Sequence, residues 1–175
     1  MDDADHVALL EKGVPSPGGV WADFGSGQGA FTLALADLIG QSAVLYSVDK
    51  NRTALQQQKS IVQSRFPDLT IQYLHNDFTR PIDLPPLDGL IMANALHFVR
   101  NKDQVVKAIH GYLKPEGRLV LVEYNVDRGN IWVPHPLSFQ TWQRLASQNG
   151  FRTTLLLATR QSSFLEEFYS ALSIK

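Results

Sequence analysis

Five side chains in the amino-acid sequence could do chemistry together: Asp23, Asp49, Asp77, Asn94 and His97. Asp23 opens the stretch Asp23-Phe24-Gly25-Ser26-Gly27-Gln28-Gly29-Ala30, in which every second residue after Phe24 is glycine as far as Gly29. Without a Cβ such a loop can take positive φ and let a ligand lie against the main chain. Amides that open a following helix lack intrahelical partners and favour a polar or anionic group. Gly25, Gly27 and Ala30 satisfy the dinucleotide fingerprint G-x-G-x-x-G/A, while Asp23-x-Gly25-x-Gly27-x-Gly29 is the different pattern D-x-G-x-G-x-G, and the glycines alone do not choose between them. Asp49 lies about twenty residues further on, where an acid accepts hydrogen bonds from ribose hydroxyls. His97 adds an imidazole, the side chain that titrates nearest neutrality, and is the candidate base. The chemistry implied is that of a nucleoside held beside an acid–base group.

These residues need a scaffold that gathers strand ends, and the hydrophobic patterning predicts one. Residues 20–24 form an apolar run that stops at the glycines, and residues 29–39 follow with Phe31, Ala34, Leu35 and Leu38 at helical spacing, ended by Gly40. Residues 43–48 read as a second strand closing on Asp49. Residues 51–64 read as a helix N-capped by Asn51, with Ala54, Leu55, Ile61 and Val62 inward, and residues 70–74 as a third strand ending near Asp77. After Pro81, Pro85 and Pro86 break the connection, residues 87–93 form a fourth strand, apolar enough for the centre of a parallel sheet. A helix over 102–113, stopped by Pro115 and Gly117, leads to a fifth strand at 118–122.

A loop over 123–137 precedes a helix over 138–149, N-capped by Ser138. Two β-rich runs follow, 151–158 and 164–174, whose short connection permits only an antiparallel pair. Upstream, residues 5–12 read as a short helix joined to the first strand by Pro15-Ser16-Pro17-Gly18-Gly19. Alternating strands and helices imply right-handed βαβ units and a doubly wound α/β sheet. Ligands bind such sheets beyond the carboxyl ends of the strands, where strand order reverses. Those ends carry Asp23, Asp49, Asp77 and Asn94 in turn.

Composition narrows the function classes. The chain has 175 residues, 44% of them hydrophobic, which suits one domain with its own core. Lys plus Arg is 16 against Asp plus Glu 17, so there is no global basic footprint of a nucleic-acid binder. The sequence has no cysteine, which removes disulfides, thiolate zinc sites and thiol nucleophiles. No apolar run approaches the roughly 20 residues that span a bilayer. The acidic start Met1-Asp2-Asp3-Ala4-Asp5 has the wrong sign for a secretory signal. The expectation is a cytoplasmic protein without a membrane partner.

From Val20 onward the sequence resembles the class I S-adenosylmethionine-dependent methyltransferases. The segments ADFGSGQG, LYSVDKN and YLHNDF carry the resemblance, with the late pair LDGLIMANALHFV and YLKPEGRLVLVEYN. It implies a Rossmann-like sheet of seven strands in the order 3-2-1-4-5-7-6, ending in an antiparallel hairpin. The single domain over 1–175 would comprise an N-terminal helix and loop (1–19), a cofactor-binding half (20–125) and an acceptor-side loop, helix and hairpin (126–175). The cofactor implied is S-adenosylmethionine, leaving as S-adenosylhomocysteine. The resemblance puts its methionine part in the Gly25–Gly29 loop entered through Asp23 and Phe24, and its ribose hydroxyls on Asp49. It also puts the adenine edge at Asp77 and the Phe78 backbone, the adenine face beside Lys50, and the methionine amino group near Asn94. A nicotinamide dehydrogenase explains the glycines and Asp49 but leaves Asp23, Asp77 and the hairpin without a role. A non-catalytic module that holds the cofactor as a regulatory or scaffold subunit is the other alternative.

Methyl transfer from a sulfonium is an in-line displacement in which the protein mainly supplies alignment. A base helps most when the acceptor is a hydroxyl. His97 is the first candidate, with a polar wall residue as its plain alternative, and His135, between Pro134 and Pro136, is a second. Glu123, Tyr124, Trp132 and His135 are expected to line the acceptor side, although Trp132 reads equally well as a loop anchor in the core. No metal is expected, because Asn94 stands where a metal-assisted site wants a carboxylate. The fourth strand's end, Ala93-Asn94-Ala95-Leu96, lacks the Asn/Asp-Pro-Pro-aromatic motif of nucleic-acid adenine methylation. The acceptor is expected to be a small molecule, methylated on O, N or C. Without a large inserted lid, water would be excluded by a second subunit, by residues 2–19 with the 128–137 loop, or by a larger acceptor.

Overall fold

A computed structural model describes every residue, Met1–Lys175. Its strands are β1 (Val20–Phe24), β2 (Val44–Asp49), β3 (Thr70–His75), β4 (Leu87–Ala93), β5 (Leu113–Tyr124), β6 (Thr153–Gln161) and β7 (Glu167–Ile174). They form one sheet in the order 3-2-1-4-5-7-6, parallel from β3 to β5 and antiparallel where β7 pairs with β5 and β6. The helices are α1 (Asp3–Leu10), α2 (Ala30–Ile39), α3 (Arg52–Arg65), α4 (Asp103–Tyr112) and α5 (Phe139–Gln148). Because β1 lies between β2 and β4, strand order reverses there, and a crevice must open above it.

Period-two alternation along β4 shows how one strand serves both faces. Leu90 and Met92 enter a core with Phe24, Val106, Leu121 and Trp142, while Ile91 and Ala93 enter the opposite core with Trp21, Leu35, Leu45 and Val120. The helix ends follow local chemistry. Gly29 caps α2 in the left-handed region at φ 94°. The Asn51 side chain accepts from the Ala54 amide at 3.1 Å and the Ser138 hydroxyl from the Thr141 amide at 3.3 Å.

Three expectations are corrected. The fifth strand begins at Leu113, because α4 ends at Tyr112 and Leu113 already pairs with Leu87. Regular pairing resumes only at Gly89 with Arg118, so Pro115 sits in a bulged stretch that asks no ladder bond of it. Ile61 is exposed rather than inward: the buried stripe of α3 runs through Ala54, Leu55, Gln58 and Val62, and a glutamine takes the place an apolar residue was expected to fill. Finally, α1 packs on α2 and on β6 and β7, tied by Ser170 Oγ donating to the Leu9 carbonyl and by an Asp5–Arg160 ion pair. It is a strap on one face of the sheet and lines no part of the crevice.

Candidate active site

The carboxyl ends of β1 to β4 open onto a crevice of about 540 Å³, within the range of small-molecule sites. Gly25, Gly27, Asp49, Lys50, Asp77, Phe78 and Asn94 line it, so the structure brings together seven of the ten expected cofactor residues. Asp23, Phe24 and Gly29 lie outside its lining.

The three loop glycines answer three different demands. At Gly25 (φ 75°) a Cβ would stand 2.5 Å from the Ala95 Cβ, so the residue is glycine because the segment after β4 crosses close above. At Gly29 (φ 94°) a Cβ would stand 2.5 Å from Gln58 Cγ. At Gly27 (φ 52°) a Cβ would meet nothing within 4 Å, leaving bare main chain facing the crevice. The amides of the loop ahead of α2 are largely committed. Gly25 and Ser26 donate to the Val48 carbonyl at 2.8 and 3.2 Å, and Gly27 donates to Asp49 Oδ2 at 2.7 Å. Asp49 Oδ1 accepts from the Asn51 amide at 2.7 Å. The Asp49 carboxylate is thereby fixed in orientation, with lone pairs left on both oxygens for further donors.

On the far wall, Asp77 Oδ1 accepts from the Thr79 amide at 2.9 Å and its hydroxyl at 2.7 Å, and these bonds hold the carboxyl below its ordinary range. Phe78 stacks 6.2 Å from Phe24, which is wholly buried and also meets Tyr112 edge-on. Asn94 takes left-handed backbone at φ 51°, which asparagine tolerates. Its Oδ1 is buried with no hydrogen-bond partner. An orphaned acceptor in a crevice wall costs about 1–3 kcal/mol until a donor arrives. A ligand ammonium would supply one, so this set of acceptors fits an amino acid bearing a nucleoside.

Asp23 is corrected from a wall residue to a buried support. It is 1% exposed and accepts from Thr32 Oγ1 at 2.5 Å. Burial pushes its carboxyl up to about 7 against the opposing Thr32 bond, with the Asp49 charge adding to the rise.

The acceptor side departs further from expectation. His97 is 3% exposed and stands behind the crevice wall rather than in it. Its Nδ1 lies 2.8 Å from Glu123 Oε2, and its backbone amide donates to Glu123 Oε1 at 3.1 Å. Glu123 is wholly buried, so it lines no surface; it grips His97 at two points. Phe98, missed in the sequence although it adjoins His97, does line the crevice, its ring 4.2 Å from the imidazole. Tyr124 packs on Phe168 at 4.3 Å and lies 6.0 Å from the His97 ring. The His135 amide donates to the His97 carbonyl at 3.0 Å, bracing it by main chain, and its ring lines no part of the crevice. Trp132 is 68% exposed and anchors nothing in the core. Asn130 Oδ1 accepts from the amides of both Trp132 and Val133, and that turn buries Val133 instead.

A mixed sheet in this order, with a crevice at its switch point, is shared with known proteins. The family model described as a methyltransferase domain matches residues 22–121. The chain belongs to the class I, S-adenosylmethionine-dependent methyltransferase family. Among curated proteins, this methyltransferase is 26% identical to the reducing polyketide synthase grgA of a Penicillium species in an alignment of 156 positions that covers 74% of this chain. It spans only 6% of that synthase's length. Among solved structures it is similar to the CurJ carbon methyltransferase, with TM-score 0.75 and 20% identity over 94% of this chain and 50% of that one. It is also similar to the 1,6-didemethyltoxoflavin N1-methyltransferase of Burkholderia thailandensis, a complex with 1,6-didemethyltoxoflavin and S-adenosylhomocysteine. There the TM-score is 0.78 and identity 14%, over 99% of this chain and 78% of that one. At such identities the structural likeness speaks for the fold.

Proposed function

We propose that this chain transfers a methyl group from S-adenosylmethionine to an acidic carbon flanked by two carbonyl groups, with His97 as the base. The observation that carries the reading is the buried His97–Glu123 pair set directly behind the crevice wall. With Nδ1 turned to the carboxylate, the neutral imidazole keeps its proton there and presents a lone pair at Nε2. Glu123 fixes the ring and supports the positive charge that forms once Nε2 takes a proton, the role a buried carboxylate plays beside other catalytic imidazoles.

Bound in the crevice, S-adenosylmethionine would supply a methyl carbon activated by sulfonium charge. Asp49 would hold the ribose hydroxyls, Asn94 Oδ1 the amino group, and the Gly27 main chain would lie along the methionine part, with Asp77, Phe78 and Lys50 around the base. Carbon rather than oxygen or nitrogen is favoured by the sequence likeness to a reducing polyketide synthase. A polyketide is a chain of alternating carbonyl and methylene carbons, whose C–H bonds between carbonyls are acidic enough for an imidazole to act on. Phe98 is 61% exposed and lies against the imidazole, and in this reading it turns aside when the acceptor reaches Nε2.

The test is incubation with methyl-labelled cofactor and three acceptors: a β-ketoacyl thioester, a phenol and a primary amine. Label on the carbon between the carbonyls is expected. Transfer to phenol or amine alone overturns the carbon assignment, and cofactor binding without transfer to any acceptor returns the non-catalytic alternative.

A further inference from the structure

Beneath the Gly25–Gly29 loop the core turns polar. Thr32, Ser47 and Gln58 are wholly buried, Asp23 and Ser26 nearly so, and these five side chains form one continuous run of hydrogen bonds. Gln58 is its centre. Nε2 donates to Thr32 Oγ1, which leaves the threonine's own hydrogen for Asp23 Oδ2. Oε1 accepts from Ser47 Oγ at 2.8 Å, and Ser26 Oγ lies 2.8 Å from Ser47 Oγ and 3.5 Å from Oε1. An amide in a core is tolerated only when its donors and acceptors are met, and here both ends are engaged. The same side chain fills the space that Gly29 leaves free. Gln58 therefore touches the loop at Ser26 and at Gly29, while lining none of the crevice itself.

We propose that Gln58 is the positioning residue of the cofactor loop, bracing its main chain from below so that Gly27 faces the crevice before any ligand arrives. The inference rests on reading that loop as the cofactor site. Its physical content is pre-organisation: a loop already held in its binding shape loses less entropy when a ligand docks.

Two variants test it. Gln58→Leu keeps the bulk and removes the hydrogen bonds; Gln58→Glu keeps the shape and matches the donor–acceptor pattern only when protonated. In the cofactor-free protein, amides 25–30 should exchange with solvent about tenfold faster in Gln58→Leu, the equivalent of one lost hydrogen bond, with β4 and β5 unchanged. S-adenosylhomocysteine affinity, by calorimetry, should weaken about tenfold in the same variant. Gln58→Glu should match the wild type near about pH 5.5 and fall behind it by about pH 8.5, since burial and Asp23 disfavour a second charge but cannot prevent it at alkaline pH. Unchanged loop exchange with unchanged affinity would overturn the brace, as would faster exchange spread evenly through the sheet. If the leucine variant does not fold, a glutamate variant whose affinity tracks the wild type at both pH values overturns it equally. A wild type that binds neither sulfur nucleoside would instead overturn the cofactor reading, with the exchange measurement still deciding the role of Gln58.

Discussion

Around the Gly25–Gly29 loop, Asp49 and Asp77 almost every polar group is tied to another part of the chain, whereas Phe98 and the 123–137 loop, the region proposed for the acceptor, present apolar side chains to solvent. Asp49 bridges the Gly27 and Asn51 amides, Asp77 is fastened to Thr79, and the loop rests on Gln58. Phe98 on the crevice wall is 61% exposed, and outside that lining Ile131, Trp132 and Phe164 are 86%, 68% and 49% exposed. The contrast teaches where rigidity is needed. A reactant common to a whole family can be met by a finished mould, but an acceptor that differs between members is met by surfaces that close when it arrives.

That contrast can be broken by experiment. His97→Ala removes the only acid–base group proposed for the acceptor side and should slow transfer to a β-keto acceptor by about 10²–10⁴-fold, leaving S-adenosylhomocysteine affinity untouched. Affinity falling in step with rate would place His97 on the nucleoside side. Asp23→Asn should show in stability. Its folded carboxyl titrates at about 7 against 3.8 in the unfolded chain, so the folded state binds the proton more tightly. The contribution of this one carboxyl is therefore full below about pH 4, declines as pH rises toward about 7 and levels off above it, a loss on the order of 4 kcal/mol. The asparagine variant keeps an acceptor for Thr32 and should lack that decline, which urea unfolding at acid and alkaline pH would register; identical slopes would mean that Asp23 ionises freely.

Smaller effects sharpen the comparison further. Asp49→Ala should weaken S-adenosylhomocysteine binding by roughly 1.5–3 kcal/mol through lost charge-assisted hydrogen bonds. A change in acceptor KM without a change in that affinity would refute its assignment. Trp132→Ser should move folding stability by less than about 0.5 kcal/mol, as for other exposed positions. A large drop in melting temperature would show that the loop is packed after all.

The amino-acid sequence made the nucleoside side legible because its parts are local. A strand, a glycine run, a capping Asn51 and an acid at each strand end are neighbours in the chain; the alternation of elements implies a doubly wound sheet, and the family resemblance implies its order. The acceptor side depends on partners distant in sequence. His97 and Glu123 are separated by 26 positions and meet only because β4 and β5 are adjacent, so Glu123 read as a lining residue of the acceptor side when it is the group gripping the imidazole. Trp132 and Val133 show a different limit: both suit a core, and only the side chain of Asn130 decides which one enters it. Gln58 was passed over because a polar residue in an inward stripe looks like noise until its three partners are seen.

The placement of β7 between β5 and β6 governs when the sheet can be completed. Until residues 167–174 are available, β5 presents an open edge and β6 has no strand to join, so the first five strands must wait with one long apolar border unprotected. Translation therefore delivers the keystone last, and a nascent chain stalled near residue 160 would expose a template for pairing with other chains.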